Sequence, residues 1–490
     1  MNTPLRKVGM AMLVMIVLLL ANTTYVQVVR GDDYASDSRN SRVLYEEYSR
    51  ERGKIVSDEA GQVLAGVKPS DDNFNFMRTY RNGPMYAPVT GYYSIMYGAG
   101  GMENAEDSFL NGSDPRLFVR RLSDMVTGRD PRGGNVRLTI KPSVQEAAYQ
   151  AMAERGYTGS VVALDPKTGD VLGMVSTPSY DPSRLASHDG DEQQKAWQEF
   201  SEADGNPMLN RAVRETYPPG STFKIVTTAA ALEDGMEPDA SVTPDSNVTL
   251  PGTSTTLENY GGATCPGTTL KDALKYSCNT AFAEIAGKLG ADKLRATAEN
   301  FGIGADEDLE IPLGVVPSSL GELESEAALY QSGIGQRDVR LTPLQDALLA
   351  ATVANDGMAM KPNLVKARLA PDLSTIEETT PEELTGDEAM SSESAEALTQ
   401  MMIQSEENTS GGGKDPDLKI ASKTGTAEHG SDPKNTPPHA WYTAFAPHDD
   451  PKIAVAVIVE SGGNHGLAAT GGTVAAEIAR TTIAAALGGG

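Results

Sequence analysis

Three short segments carry side chains whose types and spacing could do chemistry. In Pro218-Pro219-Gly220-Ser221-Thr222-Phe223-Lys224 a hydroxyl and an amine lie three residues apart, just ahead of the apolar run Ile225–Leu232 that stops at Gly235. Pro and Gly before such a run mark a helix start, so Ser221 falls in the first turn with Lys224 on the same face. Serine is a weak nucleophile until a base takes its proton, and lysine is a base only when neutral. Burial and a second cation nearby would lower its pKa enough. The second segment is Ser277-Cys278-Asn279, after the helix-like stretch Leu270–Tyr276. Ser277 could relay protons between Lys224, the nucleophile and a leaving amine, and the Asn279 amide offers a donor and an acceptor to a peptide backbone. The third is Lys423-Thr424-Gly425-Thr426, within an expected strand Leu418–Glu428. An edge strand can hold an extended peptide by main-chain pairing. A glycine there lets a ligand backbone approach, and Lys with two hydroxyls suits a carboxylate. Each segment alone also fits an ordinary helix surface, loop or bulge.

The elements that must position these groups can be outlined from apolar patterning. Asn135–Ile140 reads as a strand and Ser143–Ala153 as a helix. Gly159–Leu164 and Asp170–Ser176 alternate as a hairpin around Asp165-Pro166-Lys167-Thr168-Gly169. Leu418–Glu428, Ala440–Ala446 and Lys452–Glu460 read as three further strands, and Thr473–Leu487 as an Ala-rich closing helix. Strands at both ends with helices between predict an α+β arrangement, one antiparallel sheet assembled from both ends of this region and packed on helices. Asp372–Glu407 carries acidic residues without Lys or Arg and is expected to be a solvated loop-and-helix excursion, followed by the Gly-rich Ser410–Gly413.

Ahead of this region the chain is different. Val8–Val29 is uncharged and covers ~33 Å as a helix, enough to cross a bilayer. Arg6 and Lys7 precede it and Asp32 and Asp33 follow, which by the positive-inside rule leaves the N-terminus in the cytoplasm and the bulk outside. The alternative is a cleaved signal peptide with Ala21 at its end, although Leu19 spoils the small-x-small pattern. Either way the body is exported. The expected organisation is a tail at 1–7, an anchor at 8–29, a polar accessory domain at 30–140 and the main domain at 141–490.

Composition removes other classes. Lys and Arg number 41 against 67 Asp and Glu, a net charge of −26 that repels a phosphate backbone, so nucleic acid is excluded as a partner. Two Cys and 5 His, with no H-E-x-x-H and no paired C-x-x-C, predict no metal. In an oxidising compartment Cys265 and Cys278 are expected to pair. That closes a loop of about fourteen residues worth ~3 kcal/mol and pins the segment carrying Ser277 and Asn279. Two buried free thiols are the alternative.

In this order, S-T-F-K, S-C-N and K-T-G-T resemble the active-site triplet of penicillin-binding proteins and serine β-lactamases. Further segments resemble the class B, monofunctional transpeptidase branch. They are Arg52-Gly53-Lys54-Ile55 through Asp58, Gly61 and Leu64-Ala65; Asn210-Arg211-Ala212; Gly333-Ile334-Gly335-Gln336 with Thr342-Pro343-Leu344-Gln345; and Ala354-Asn355-x-Gly357. The resemblance implies the penicillin-binding transpeptidase fold, with a helical subdomain and a smaller N-terminal pedestal. It implies a substrate ending in D-alanyl-D-alanine, attack by Ser221 assisted by Lys224, and an oxyanion held on the backbone N–H groups of Ser221 and Thr426. Lys423, Thr424 and Thr426 would take the terminal carboxylate and Asn279 the donor amide. No cofactor is required, β-lactams would acylate the same serine, and a membrane-embedded SEDS polymerase is the implied partner. Glu106-Asp107-Ser108-Phe109 echoes a glycosyltransferase motif without its His, Glu103 is expected to be a structural contact, and Glu59 stands where the family often has Arg. No E-x-x-L-N segment follows Ser277, which disfavours fast deacylation. A β-lactam receptor and a catalytically dispensable division or elongation scaffold are the competing functions.

Overall fold

The computed structural model describes residues 2–30, 48–118, 132–304, 309 and 311–488. The flanking Asp32 and Asp33, and the parts of the accessory region at 31–47 and 119–131, lie outside the described residues. The N-terminal helix Asn2–Thr24 continues through a wider turn at Tyr25–Val29. It starts ahead of the apolar run because Pro4 falls in the first turn, where its missing N–H costs nothing. Within Pro4–Val29, 26 residues long, the most apolar stretch has a mean hydropathy of 2.0 and no buried residue. At about 39 Å this helix is long and apolar enough for one membrane crossing.

A six-stranded sheet supports the next layer. Its order is Thr375–Glu378, Val365–Leu369, Asn135–Leu138, Ile55–Val56, Val63–Pro69, Phe76–Tyr80. The sheet draws on both sides of residue 140, because Val365–Leu369 pairs antiparallel with Asn135–Leu138. Buried Glu103 ties this unit together. Its carboxylate accepts from Arg52 Nε at 2.8 Å and Arg78 Nε at 2.5 Å. Burial alone would raise the Glu103 pKa, but Arg78 and Arg52 together hold it below the usual carboxylate value. Glu106 pairs with Arg368 of the neighbouring strand at 2.8 Å, so the glycosyltransferase-like echo is a structural tie. Glu59 instead faces Ser143, whose Oγ lies 3.3 Å away.

The second sheet has five antiparallel strands in the order Ala421–Ala427, His439–Ala446, Ile453–Val459, Gly159–Leu164, Val171–Thr177. Strands from both ends of the expected main domain meet here. Helices Pro142–Ala153 and Ala476–Ala486 cover one face and Pro343–Ala354 the other, which is why Ile453–Val459 is apolar throughout rather than alternating. The 421–427 strand is an edge.

The acidic stretch departs from expectation. Helix Ser392–Asn408 is no excursion: Ala395, Leu398, Met401, Met402 and Ser405 are buried against the 270–276 helix and the 421–427 strand. Its carboxylates lie mainly on the outer face of an amphipathic helix, and the charge masked the 3–4 residue apolar period.

Candidate active site

Ser221 sits in a one-turn 3-10 helix, Gly220–Phe223, that runs into the helix Lys224–Glu233. Outside contacts hold the turn. Gly220 N donates to Gly335 O at 2.9 Å, Thr222 Oγ1 to Pro219 O at 3.1 Å, and Trp441 Nε1 to Pro218 O at 3.0 Å. Gly220 has a φ of +56°, and a Cβ there would lie 2.8 Å from Thr426 O, so the turn can approach the edge strand only as glycine.

Lys224 is fully buried. Its Nζ donates to Ser277 O at 2.8 Å and Asn279 Oδ1 at 2.8 Å, with Ser277 Oγ at 3.4 Å. Among the described residues its hydrogen bonds go to Ser277 and Asn279 rather than to half-buried Ser221. Ser277 caps the helix Leu270–Tyr276 in the left-handed conformation, φ 59° and ψ 43°, and the next helix begins at Asn279. That sharp reversal turns both polar groups of Ser277 toward the lysine. A disulfide joins Cys265 to Cys278, with Cα atoms 5.7 Å apart. Asn279 Nδ2 donates to Glu258 O at 3.0 Å, and Thr280 N to Asn259 Oδ1 at 3.1 Å.

The third motif closes the site. Lys423 Nζ donates to Ser277 Oγ at 2.9 Å and to Thr424 O at 3.0 Å. Thr424 and Thr426 are half-exposed on the alternate face of the strand. Gly425 is also required by packing inside the protein. A Cβ there would stand 2.8 Å from Pro219 O and 2.9 Å from Trp441 Cβ, so the missing side chain makes room for the turn that carries Ser221.

The two ammonium groups are electrostatically linked. Burial drives the Lys224 pKa far below the ordinary lysine value, and the Lys423 charge drives it further. Burial pushes Lys423 down to about 7. A neutral amine beside a hydroxyl, with a second amine that can carry charge, is the set needed to take a proton from serine and hand it on. Asp346, Glu406 and Arg480 were not singled out by motif. Asp346 is signalled by a charge inside the otherwise apolar helix Pro343–Ala354, whereas Glu406 and Arg480 lie on Ser392–Asn408 and Ala476–Ala486, which carry other charges as well. Among the described residues there is no group of three or more His, Cys, Asp or Glu that could hold a metal ion.

Residues 159–484 match the family described as the penicillin binding protein transpeptidase domain, and residues 52–136 the penicillin binding protein A dimerisation domain. The chain is 55% identical to the peptidoglycan D,D-transpeptidase PbpA of Mycolicibacterium smegmatis over 99% of both chains. It belongs to the class B penicillin-binding protein transpeptidases. The PbpA of Mycobacterium tuberculosis is 49% identical over the full length of both. Among solved structures, the ceftriaxone acyl-enzyme complex of penicillin-binding protein A from M. tuberculosis superposes with a TM-score of 0.87 at 49% identity, covering 90% of this chain and all of that one. Its penicillin G acyl-enzyme complex gives 0.85 at 49% identity, covering 89% and 100%. In this penicillin-binding protein the five-stranded sheet falls inside the matched transpeptidase region, whereas the six-stranded sheet combines strands from the first 140 residues with Val365–Leu369 and Thr375–Glu378 of the transpeptidase region.

Proposed function

We propose that this chain is a membrane-anchored peptidoglycan D,D-transpeptidase in which Ser221 is the nucleophile, Lys224 the base, Ser277 the proton relay, Asn279 the amide anchor and Lys423 the carboxylate-side cation. The observation that carries this reading is the meeting of two buried lysines on Ser277, with Lys224 Nζ 2.8 Å from Asn279 Oδ1 and Lys423 Nζ 2.9 Å from Ser277 Oγ. Neutral Lys224 takes the Ser221 proton as Oγ adds to the penultimate D-alanine carbonyl of a stem peptide. The oxyanion rests on the N–H groups of Ser221 and Thr426. Collapse breaks the peptide bond, and the proton passes through Ser277 to the departing D-alanine amine. A neighbouring stem's amine then attacks the acyl ester, forms the cross-link and returns the proton to the site, restoring Ser221.

The proposal divides the chain into a cytoplasmic tail at 1–7, an anchor at 8–29, a pedestal at 30–140 and a transpeptidase domain at 141–490 that faces the outside. Arg6 and Lys7 at the N-terminal end of the helix favour this orientation. Lys423, Thr424 and Thr426 receive the terminal carboxylate, Gly425 lets the ligand backbone approach the strand, and a SEDS polymerase is the membrane partner that such an anchor suits. Mass spectrometry of the chain after incubation with a labelled penicillin tests the reading. A single adduct on the Ser221 peptide is expected, and an adduct on any other peptide, or none on folded protein, overturns it.

A further inference from the structure

The end of the 392–408 helix is fastened to the back of the edge strand by one carboxylate. Glu406 Oε2 accepts from Ser422 Oγ at 2.5 Å and from Tyr442 Oη at 2.7 Å. Glu406 Oε1 accepts from Arg480 Nε at 2.9 Å, with Arg480 Nη2 2.7 Å away. Arg480, whose side chain is fully buried, also donates from Nη1 to the carbonyls of Ser410, Gly411 and Gly412 at 3.3, 3.2 and 2.8 Å. It thereby ties down the chain that leads from this helix to the strand. The same helix packs against the 270–276 helix, and its Asn408 Nδ2 donates to Lys275 O at 3.3 Å.

These contacts reach two of the three motifs. Ser422 precedes Lys423, and Tyr442 pairs with Thr424 across the strands. Lys275 lies two residues before Ser277. Apolar side chains of equal volume would bury this region without the cost of desolvating two charges. A carboxylate with fixed donors from a strand on one oxygen and an arginine on the other adds direction, because it is satisfied in one arrangement only.

We propose that Glu406 is a positioning residue for acyl transfer: it fixes the 421–427 strand relative to the Ser277 turn and so sets the 2.9 Å contact between Lys423 Nζ and Ser277 Oγ. The inference rests on the transpeptidase reading above. It separates two kinds of damage. Ser422→Ala with Tyr442→Phe frees the strand but leaves the Glu406–Arg480 pair. Glu406→Gln keeps an acceptor oxygen for the strand but sets an amide against Arg480. Glu406→Leu removes both.

The test uses the full chain in detergent micelles, with fluorescent penicillin acylation resolved into a binding constant and a first-order rate, and with thermal unfolding on the same samples. The double strand-side variant is expected to acylate at least tenfold more slowly while still folded at the assay temperature. The pH profile of its rate should shift, because Lys423 loses its partner geometry. Glu406→Gln is expected to keep the rate within about threefold while losing thermal stability, and Glu406→Leu to lose both. A folded strand-side variant with the wild-type rate and pH profile, or rates that simply track melting temperature across the set, overturns the proposal. Should Glu406→Leu fail to fold, the other two variants still decide it. If the unaltered chain is not acylated at Ser221, the functional reading fails instead, and this inference with it.

Discussion

Asp346 should make the fold less stable as the pH rises, and replacing it with asparagine should remove that dependence. The residue is fully buried in the helix Pro343–Ala354, and neither carboxyl oxygen finds a hydrogen-bond partner among the described residues. Burial pushes its pKa from the ordinary 3.8 up to about 7. The unfolded chain therefore releases this proton at about pH 4 while the folded chain holds it to about pH 7. Between those values folding must retain a proton that the unfolded state gives up, and each pH unit costs ~1.4 kcal/mol. The full penalty is about 4 kcal/mol, absent below pH 4 and complete above pH 7. Urea unfolding of the detergent-solubilised chain and of Asp346→Asn, followed by fluorescence of the fully buried Trp441, measures it between pH 5 and 8. Asparagine brings its own unsatisfied amide, but that offset does not vary with pH. The difference should move in favour of Asn by more than 2 kcal/mol from pH 5 to 7 and then level off. A difference that stays flat across the range, or moves the other way, refutes the reasoning.

Lys224→Ala should lower acylation by at least a thousandfold while leaving the thermal transition in place, because the variant loses the base and not the turn that carries Ser221. Mass spectrometry and a melting curve on one sample check both halves. For a carboxylate-bearing penicillin, the acylation rate should climb as Lys224, held far below the ordinary lysine value, loses its proton, and decline as Lys423 loses its own through about 7. Lys423→Ala should weaken capture and erase the upper limb, and an equal loss for ligands without the carboxylate would contradict the role given to it. The Cys265–Cys278 bridge should leave no titratable thiol in denatured, unreduced chain. Its reduction should cost ~3 kcal/mol in the chain-entropy model and slow acylation by loosening the segment that ends at Ser277 and Asn279.

Much of the scaffold could be read from patterning because the relevant forces are local. Four of the five strands of the transpeptidase sheet are short runs buried on both faces, and Gly159–Leu164 with Val171–Thr177 announces itself by its turn. The pedestal sheet was harder. Val365–Leu369 joins Asn135–Leu138, more than 200 residues earlier in the chain, and brings its local partner Thr375–Glu378 with it; nothing local to Val365–Leu369 states that distant pairing. The acidic helix 392–408 misled for a related reason. Its charges are conspicuous and mostly idle, while Glu406 gains its meaning only from Arg480 and Tyr442, which arrive from other elements.

The site divides along the same line. Residue types and spacing place Ser221 in a 3-10 turn and Lys224 at the start of the helix that follows it, an arrangement that the S-x-x-K interval alone suggests. The electrostatics could not be anticipated, since no spacing says that Lys423 will lie close enough to Lys224 to depress its pKa, or that Ser277 will sit between them. A lone buried lysine could be neutralised simply by pairing with an acid, which would hold its proton on and spoil it as a base. Here burial takes the charge off Lys224, a second cation keeps it off, and the partners of both amines are a hydroxyl, an amide oxygen and backbone carbonyls. Introducing a carboxylate at Asn279 should therefore do more harm than removing the amide. In Asn279→Asp the new charge would hold Lys224 protonated at neutral pH, so acylation should fall well below that of Asn279→Ala and recover partly in alkaline buffer. If the two variants acylate alike across the pH range, neutrality of Lys224 is not what the site was built to secure.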